Sequence, residues 1–483
     1  MYGSHPFYLN LETGGRANGV LLMNSNAMDI LLQSSPVPSV TWTTIGGILD
    51  FTIFAGDSPR DVVAQYTERI GRPFLPPVWA LGFHVSRWGY NSTAGMRDVM
   101  EGMVRGGVPV DVQWSDIDYM DSRKDFTYDP NRYSDLPEHV DYLHSLGKRF
   151  VPILDPALKS DFSGNYKPTD TAVKLDLLIR NASGGYIIGH VWPGDTVFPD
   201  FLNPDTPSWW AGWIAQLKSQ LDFDGLWIDM NEPQSFYDGS ADGCPWDDPL
   251  ENPPYYPAVR KSLAFNTLCL TAQHQEYRHY DVHNLYGWSE TRATRAALRS
   301  LAPRNRTFVL TRSTFVGSGR WAAHWTGDVQ SSWEHLLVSV SGILNMNLLG
   351  IPLVGADICG FEHDTDRELC IRWTQLGAFY PFSRNHNSLT QRAQEPSAWD
   401  EEAMGIMRDA LLQRYRLLLY LHQLFVRAHE RGFPVANPLF LLFPEDTFTH
   451  DKDRQFLWGE AIMVCPVLEK GATSVWIYFP TGL

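Results

Sequence analysis

Eight short apolar segments recur through the middle of the chain, and helical patterns separate most of them. Each segment is a run of aliphatic or aromatic residues bounded by Gly, Pro, Asn or Asp, which is typical of a buried strand. The predicted strands are 79–86, 108–115, 149–155, 225–230, 307–311, 323–326, 351–357 and 379–383. The predicted helices include 61–70, 93–105, 135–146, 208–221, 290–301, 366–376 and 401–431. Alternating strands and helices predict an α/β fold, a (β/α)8 barrel.

Two insertions and an N-terminal β region extend this pattern. Apolar strands at 19–29 and 46–54 predict β structure before the barrel. The insertions cover about 156–200 and 234–285 and are rich in Gly, Pro and Asp. Both follow predicted strands, so we expect them at the carboxyl-end face of the barrel, where loops build active sites.

Composition narrows the class of protein. The 483 residues are 44% hydrophobic and 19% charged, which indicates a well-packed globular chain. The net charge of −16 argues against nucleic acid or an anionic membrane as a partner. No segment approaches the roughly 18–20 apolar residues of a membrane span, and no signal-peptide pattern follows Met1. The 18 tryptophans fit both a large core and platforms for sugar rings.

The fourth predicted strand ends in a carboxylate. Side chains alternate along a strand, so Trp227 and Asp229 should share one face, and Leu226, Ile228 and Met230 the other. A carboxylate at the end of an apolar strand is costly to bury unless it is paired or used. Barrel enzymes place catalytic acids at this position. From the strand alone, a role for Asp229 in capping the next turn is an equal alternative.

A second acid, Asp328, follows a tryptophan, Trp325, at the end of a weaker strand pattern. Glycoside hydrolysis needs two carboxylates across one glycosidic bond. Trp-Ile-Asp-Met-Asn-Glu at 227–232, followed about a hundred residues later by His-Trp-Thr-Gly-Asp at 324–328, resembles the glycoside hydrolase family 31 α-glucosidases. The motifs are most similar to the lysosomal members of that family, and next to its intestinal members. The resemblance covers nearly the whole chain and supports the sixth strand.

The resemblance implies a retaining exo-α-glucosidase that needs no cofactor and no metal. Its substrates would be the terminal α-1,4-linked, and more slowly the α-1,6-linked, glucose units of maltose, malto-oligosaccharides and glycogen. Asp229 corresponds to the nucleophile and Asp328 to the acid/base, with carboxyl groups roughly 5–5.5 Å apart. The residue types alone do not say which acid is which. Glu232 competes for either role, and we interpret it as a supporting residue behind the site.

The resemblance also implies a set of sugar-binding residues. They are Asp116, Arg312, His386, Asp357, Trp88, Ile153, Trp192, Trp227, Met230, Trp325 and Phe361. Arg312 shares a strand face with Phe308 and Leu310, so it should point into the barrel, bind hydroxyl groups and hold Asp328. We expect Asp357 to support Arg312 or the sugar. A structural ion pair is the alternative for Arg312, and burial in the core is the alternative for each tryptophan.

The cysteines fit a family disulfide pattern. The resemblance implies the pairs Cys244–Cys269 and Cys359–Cys370, which leaves Cys465 free. Five buried thiols are the alternative, because free cysteine is a common core residue. None of the cysteines has zinc-site spacing.

Glycosylation sequons begin at Asn91, Asn181 and Asn305. They fit the lysosomal or secretory compartment that the resemblance implies. The resemblance also divides the chain into the end of a β-sandwich at 1–58, the catalytic barrel at 59–435, and the start of a second β-sandwich at 436–483. The fold predicted for the chain is therefore a TIM barrel with two inserted loops, flanked by partial β-sandwiches.

Two other functions stay open at this stage. The chain could be a family 31 enzyme with another glycoside specificity, such as α-xyloside or α-galactoside. It could also be a catalytically silent, glycan-binding or misfolded homologue, because relatives of this family extend beyond both of its ends. If the chain is an α-glucosidase of this family, its expected substrate is an oligosaccharide or glycogen.

Overall fold

The computed structural model describes residues 2–259 and 261–481, and eight parallel strands form its centre. The strands of the molecule are β1 (Phe7–Leu11), β2 (Ala17–Leu22), β3 (Met28–Gln33), β4 (Ser39–Thr44), β5 (Phe51–Gly56), β6 (Phe83–Val85), β7 (Val112–Ser115), β8 (Arg149–Leu154), β9 (Leu158–Lys159), β10 (Gly189–Val191), β11 (Gly194–Val197), β12 (Leu226–Ile228), β13 (Val309–Thr311), β14 (Ala323–Trp325), β15 (Val354–Gly355), β16 (Ser383–Asn385), β17 (Ala436–Asn437), β18 (Phe456–Trp458) and β19 (Ile462–Val464). The α-helices are α1 (Pro59–Ile70), α2 (Thr93–Arg105), α3 (Leu136–Ser145), α4 (Lys167–Lys174), α5 (Thr206–Gln220), α6 (His279–Val282), α7 (Tyr286–Leu301), α8 (Trp333–Leu348), α9 (Arg367–Gly377), α10 (Glu401–Arg416), α11 (Leu418–Arg431) and α12 (Leu439–Leu442).

The central sheet runs β6, β7, β8, β12, β13, β14, β15, β16 in chain order, and β16 pairs in parallel with β6. Two backbone hydrogen bonds join the remaining gap: Phe382 N donates to Val354 O at 3.0 Å, and Ile358 N donates to Arg384 O at 2.9 Å. The sheet is therefore a nearly closed barrel, and the predicted (β/α)8 fold with additional β domains is confirmed.

Burial on both faces explains why the barrel strands read as continuous apolar runs. Every residue of β12, β13 and β14 is buried, since helices cover the outside and side chains fill the inside. Trp114 lies at the centre of the filling, with its ring centroid 5.8 Å from that of Phe308 and 6.0 Å from that of Phe382. The barrel is thus a packed core with an opening only at its ends.

Side-chain caps fix the starts of four barrel helices. Ser92, Ser332, Asp366 and Asp400 precede α2, α8, α9 and α10, and each side chain accepts a hydrogen bond from a backbone N–H of the first turn. Such caps satisfy amide groups that have no partner within the helix. Each of these helices therefore begins directly after its capping Ser or Asp.

Several element boundaries differ from the predictions; the second barrel strand, for example, begins at 112 and not at 108. The first barrel strand is shorter than 79–86, because residues 78–81 form a 3-10 helix before it. The last strand begins at 383 and not at 379. The helix predicted at 401–431 is two helices that meet at Leu417, because α10 packs on α9 whereas α11 packs on that 3-10 helix.

The additional β regions lie on either side of the barrel. Strands β1, β2 and β5 form an antiparallel sheet, and β3 and β4 form a hairpin; the sequence pattern missed β1 and β4. This sheet packs on α1, where the rings of Phe7 and Tyr66 stack at 4.0 Å. Strands β17, β18 and β19 form a small sheet after the barrel, and β9, β10 and β11 lie in the first insertion.

Both predicted disulfides are present. Cys244–Cys269 crosslinks the second insertion, and Cys359–Cys370 ties the loop after β15 to α9. Cys465 is free. In the described ranges, no helix combines the length and apolar character needed to cross a bilayer.

The sequon asparagines differ in their surroundings. Asn91 and Asn305 are exposed, whereas Asn181 is half-buried. Oδ1 of Asn181 accepts hydrogen bonds from the backbone amides of Ser183 and Gly185, both at 3.0 Å. Glycosylation at the three sites stays a prediction.

Arg414 locks α10 to the closing strands of the barrel. Its buried guanidinium donates to the carbonyl oxygens of Leu81, Ala378, Tyr380 and Pro381 at 2.5–2.9 Å. Arg414→Met would leave these acceptors without a donor, and we expect it to lower the free energy of unfolding by about 3 kcal/mol. Urea unfolding followed by tryptophan fluorescence measures the change.

The matched control is Arg416→Met, which changes an exposed arginine two residues further along the same helix. We expect this variant to unfold like the wild type. Equal unfolding midpoints for the two variants would mean that the four carbonyl contacts do not stabilise the barrel.

Candidate active site

A cavity of about 290 Å³ opens where the barrel strands end. Its lining residues are Tyr2, Trp88, Asp116, Ile117, Trp192, Trp227, Asp229, Met230, Gln234, Phe236, Arg312, Trp325, Asp328, Phe361, Glu362, His386 and Ser388. Many of them directly follow a strand: Asp116 follows β7, Asp229 follows β12 and Arg312 follows β13. Parallel strands bring their carboxyl ends to one face, which is why residues distant in sequence meet here.

The backbone after β12 turns sharply and aims two successive side chains at the cavity. Asp229 and Met230 both line it, whereas strict alternation predicted that Met230 would face away. That prediction is wrong because the strand ends at Ile228 and Met230 adopts a left-handed φ of 56°. Such a conformation in a non-glycine residue is uncommon and is found most often near functional sites.

Arg312 joins two acids at the base of the cavity. Its Nε and Nη2 atoms donate to the two carboxylate oxygens of Glu232 at 2.9 and 2.8 Å. The Nε atom also lies 3.2 Å from Oδ1 of Asp229. Arg312 makes no ion pair with Asp328. Burial raises the pKa of Asp328, and the positive charge of Arg312 opposes this effect. Glu232 is not among the residues that line the cavity, and it shares the guanidinium with Asp229.

Tyr2 covers this arginine from the N-terminal segment. The guanidinium carbon of Arg312 lies 4.7 Å from the centre of the Tyr2 ring, a cation–π geometry. The segment is held by Thr314, whose carbonyl accepts from the Ser4 amide at 3.1 Å and whose hydroxyl bonds His5 at 2.9 Å. Nothing in the sequence pattern relates residue 2 to this site.

The two candidate catalytic acids have different electrostatic surroundings. The pKa of Asp229 is raised to about 6, because burial and the charge of Asp328 raise it more than Arg312 lowers it. Burial also raises the pKa of Asp328. Among the described residues no cation lies within ion-pair distance of Asp328. The ion pair with Arg312 favours the ionised form of Asp229, and Asp328 lacks such a contact in the described ranges.

Asp116 and His386 face each other across the rim. The Nε2 atom of His386 lies 3.4 Å from an oxygen of Asp116. Burial, followed by the charge of Asp118, raises the pKa of Asp116, and burial keeps the pKa of His386 well below its ordinary value. Asp118 orients the neighbouring loop: it accepts hydrogen bonds from the Gly89 amide at 3.1 Å and the Tyr133 hydroxyl at 2.6 Å.

Asp357 has a different partner from the one predicted. It does not contact Arg312 or line the cavity; its Oδ1 accepts from Nε and Nη2 of Arg384 at 3.2 and 2.9 Å. The predicted partner, Arg312, is therefore wrong. β15 and β16 are neighbours where the barrel closes, and this brings Asp357, which follows β15, next to Arg384 of β16. Arg384 lies 4.6 Å from the ring centre of Trp227 and 5.2 Å from that of Trp325. This buried ion pair supports the two indoles that form the cavity floor.

Aromatic rings form the walls. Trp88 and Trp192 meet at 5.1 Å, and Trp227 and Trp325 at 5.6 Å, in edge-to-face contacts. The Nε1 atoms of Trp227 and Trp325 have no hydrogen-bond partner among the described residues. Ile153 is buried and does not line the cavity.

The insertions and loops add residues that the sequence did not single out: Gln234, Phe236, Glu362 and Ser388. Phe236 packs 4.9 Å from Trp192, so both insertions contribute to one wall. Arg384 is also absent from the predicted site residues. The sequence could have indicated it, because it is a charged residue at the end of a barrel strand.

One group of three side chains in the described ranges has the spacing of metal ligands: Cys244, Glu251 and Cys269. The two sulfur atoms are joined in a disulfide, so neither is available as a thiolate. This group lies in the second insertion and not in the cavity.

Comparison with known proteins identifies the family. Residues 73–424 match the TIM-barrel domain of the glycosyl hydrolases family 31, and residues 432–483 match the C-terminal domain of that family. The chain belongs to glycoside hydrolase family 31. It is therefore a member of a family of glycoside-hydrolysing enzymes.

Relatives of the chain include named α-glucosidases. It is 54% identical to rat lysosomal alpha-glucosidase over 485 residues, which is 100% of this chain and 50% of that protein. It is 47% identical to rabbit intestinal sucrase-isomaltase, covering 100% of this chain and 27% of that one. The chain thus spans about half, or less, of the length of these relatives.

Solved structures share the architecture. A glucosidase II alpha subunit bound to alpha3-Glc2 superimposes with a TM-score of 0.89 at 32% identity, covering 99% of this chain and 51% of that one. A family 31 alpha-glucosidase from Bacteroides thetaiotaomicron superimposes with a TM-score of 0.82 at 30% identity, covering 96% and 72%.

The raised pKa of Asp229 predicts a pH-dependent stability. Its folded value of about 6 exceeds the unfolded value of about 3.9, so between them the folded chain binds more protons and loses stability as the pH rises. Asp229→Asn removes this loss. We expect the variant to gain up to about 3 kcal/mol over the wild type between about pH 4 and pH 7, at about 1.36 kcal/mol per pKa unit. Urea unfolding at several pH values measures it.

Asp98→Asn, at an exposed position of α2, is the control and should show no such trend. An Asp229→Asn advantage that stays constant with pH, or grows towards acid, would contradict the electrostatic picture of the cavity.

Proposed function

We propose that this chain forms the catalytic barrel of a retaining exo-α-glucosidase. The observation that carries the proposal is the asymmetric pair of acids in one cavity: Asp229 lies beside the Arg312 guanidinium, and Asp328 forms no ion pair with any cation of the described ranges. A retaining glycosidase needs one ionised carboxylate as nucleophile and one protonated carboxyl as acid. The surroundings of the two acids favour this division of roles.

In the first step, a carboxylate oxygen of Asp229 attacks the anomeric carbon of the terminal glucose. The bond from that carbon to the glycosidic oxygen breaks, and the leaving oxygen takes the proton of Asp328. The product is a glucosyl ester on Asp229, and Asp328 is now ionised. Arg312 has by then lost part of its interaction with Asp229 and stays neutralised by Glu232, which keeps the guanidinium in place.

In the second step, a water molecule attacks the same carbon from the side that the leaving group vacated. Asp328 accepts the proton of the water, and the ester bond to Asp229 breaks. Two inversions at one carbon give glucose with its original α configuration.

The cavity is the right kind of site for one neutral sugar ring. Its volume of about 290 Å³ and its indole walls offer apolar faces to a sugar ring. We assign Asp116 and His386 to the hydroxyl groups of the non-reducing end. A pocket of this size favours release of terminal glucose from maltose, malto-oligosaccharides and glycogen.

The location and domain plan are part of the same proposal. Relatives named lysosomal alpha-glucosidase match the whole chain, and the two disulfides fit an oxidising compartment. We therefore place the protein in the lysosome or elsewhere in the secretory pathway. Residues 59–435 would be the catalytic barrel, with parts of two β domains at 1–58 and 436–483.

Catalytic roles are tested by glucose release from maltose near pH 5. We expect Asp229→Asn to abolish turnover and Asp328→Asn to lower it by about 100- to 10,000-fold, the range for loss of general acid–base catalysis. Proton NMR of the first product formed by the wild type should show α-glucose. Sodium azide should restore cleavage of 4-nitrophenyl α-glucoside by Asp328→Ala, since azide attacks the glucosyl ester without needing a base.

β-glucose as the first product would contradict retention. An Asp229→Asn variant with wild-type turnover would contradict the nucleophile assignment. A wild-type chain that unfolds cooperatively yet hydrolyses no glycoside would favour the silent or glycan-binding alternative.

Substrate specificity is tested at Asp116. We expect Asp116→Ala to lower kcat/KM for 4-nitrophenyl α-glucoside by about 10- to 100-fold, the effect of losing hydrogen bonds to the sugar worth about 1.5–3 kcal/mol in total. Activity of the wild type should be far higher on the α-glucoside than on the α-xyloside or α-galactoside. Preference for the α-xyloside would favour the other family specificity.

A further inference from the structure

Tyr2 reaches the cavity from outside the barrel. Among the described lining residues it alone precedes β1, and the next along the chain is Trp88. Its ring centre lies 4.7 Å from the guanidinium carbon of Arg312, which follows β13. Asp328, which lines the same cavity, follows the neighbouring strand β14. Tyr2 therefore lies where two adjacent barrel strands end.

The edge of the same ring rests on Gly327, the residue before Asp328. A Cβ atom at position 327 would lie 2.6 Å from Cδ2 of Tyr2 and closer still to Cε2. Gly327 also has a left-handed φ of 79°, which residues with a side chain rarely adopt. The Tyr2 ring thus occupies the space that a side chain at position 327 would fill.

The segment that carries Tyr2 is anchored on Thr314. The Ser4 amide donates to the Thr314 carbonyl at 3.1 Å. The Thr314 hydroxyl donates to the Tyr2 carbonyl at 3.3 Å and bonds the His5 ring at 2.9 Å. Because Thr314 lies two residues after Arg312, the anchor of the segment and the guanidinium under its ring belong to one turn of the barrel.

We propose that Tyr2 is a positioning residue for the reaction proposed above. Its ring face holds the Arg312 guanidinium against Asp229, and its ring edge fixes the turn that carries Asp328. The segment before β1 thereby completes a site whose charged groups all come from the barrel. This inference deepens the proposed function and rests on it for its effect on activity.

The guanidinium needs a contact on its face because its bonds lie along its edge. Nε and Nη2 of Arg312 donate to Glu232 at 2.9 and 2.8 Å, and Nε lies 3.2 Å from Oδ1 of Asp229. A guanidinium is planar and weakly hydrated, so its flat face favours an aromatic ring over water. The edge bonds alone leave the plane free to tilt, and the Tyr2 ring restrains that tilt.

The phenol acts here as an uncharged ring. Burial, followed by the charge of Asp328, raises the pKa of Tyr2 more than Arg312 lowers it. The ring therefore stays neutral at any pH at which the acids could work, and it adds no negative charge beside them.

Both contacts matter in the same chemical step. Asp229 must reach the anomeric carbon while Asp328 gives its proton to the leaving oxygen. A misplacement of about 1 Å in such groups can lower the rate by about 100-fold. Loss of the Tyr2 ring would release the arginine beside one acid and the turn beneath the other.

The test is Tyr2→Leu, which keeps apolar bulk but removes the aromatic face. We expect kcat/KM for 4-nitrophenyl α-glucoside to fall about 3- to 30-fold, the range of a cation–π contact. For maltose it should fall about threefold further, because glucose is a poorer leaving group and depends more on the proton of Asp328. The loss should lie in kcat, since the ring holds the reacting groups and not the sugar.

Two further variants separate the ring from its hydroxyl and from its surroundings. Tyr2→Phe keeps the ring and should recover most of the activity lost in Tyr2→Leu. Tyr8→Leu is the matched control, because Tyr8 lies in β1 and stacks on Trp42 at 5.5 Å without lining the cavity. It should give wild-type kcat/KM on both substrates.

Equal losses in Tyr2→Phe and Tyr2→Leu would assign the role to the hydroxyl and overturn positioning by the ring. A rise in KM with unchanged kcat would make Tyr2 a sugar-binding residue and would overturn it as well. Equal losses in Tyr2→Leu and Tyr8→Leu would reduce Tyr2 to a structural role.

A second readout does not depend on hydrolysis. Gly327→Ala puts a methyl group into the space of the Tyr2 ring and should lower the midpoint of urea unfolding. In a Tyr2→Ala background the methyl group has room, so the same substitution should lower the midpoint distinctly less; the strain of the left-handed φ is common to both. Equal shifts in the two backgrounds would contradict the contact and overturn the inference. If the wild type hydrolyses no glycoside, this comparison still tests the contact while the proposed function fails.

Discussion

Two buried guanidinium groups make the acidic end of this barrel possible. Asp229, Glu232 and Asp328 meet at the end of the barrel, where like charges would oppose folding. Arg312 forms ion pairs with the first two, and Arg384 forms one with Asp357. Removal of one partner from such a pair leaves an uncompensated buried charge, which is strongly destabilising. The positions of the acids therefore depend on the two arginines.

The arginines also order the aromatic residues around the acids. Arg384 lies among the rings of Trp114, Trp227 and Trp325, at 4.6–5.2 Å from their centres. Trp114 belongs to the packed interior and the other two to the cavity floor. A single cation thus connects barrel packing to the surface that would receive a sugar, so the shape of the cavity is fixed by the core beneath it.

The positions of the arginines also give otherwise similar acids different electrostatic surroundings. Asp229 and Asp328 both follow barrel strands and line one cavity, yet in the described ranges only Asp229 forms an ion pair with a cation. The same fold keeps further acids uncharged nearby: burial raises the pKa of Asp125 to about 8, and that of Glu290 well above its ordinary value. If these groups were ionised, the region around the cavity would carry more negative charge than two arginines could balance.

The sequence by itself determined the barrel, most helices, the two disulfides by family resemblance, and the strand-end residues that line the cavity. These follow from local patterns: apolar runs, polar caps, and the rule that parallel strands end on one face. It did not determine the partners of the charged residues. Asp357 pairs with Arg384 and not with Arg312, and Tyr2 covers a guanidinium about three hundred residues away. Only the tertiary structure decided these, because barrel closure and side-chain contacts between distant segments leave no periodic signal in the chain.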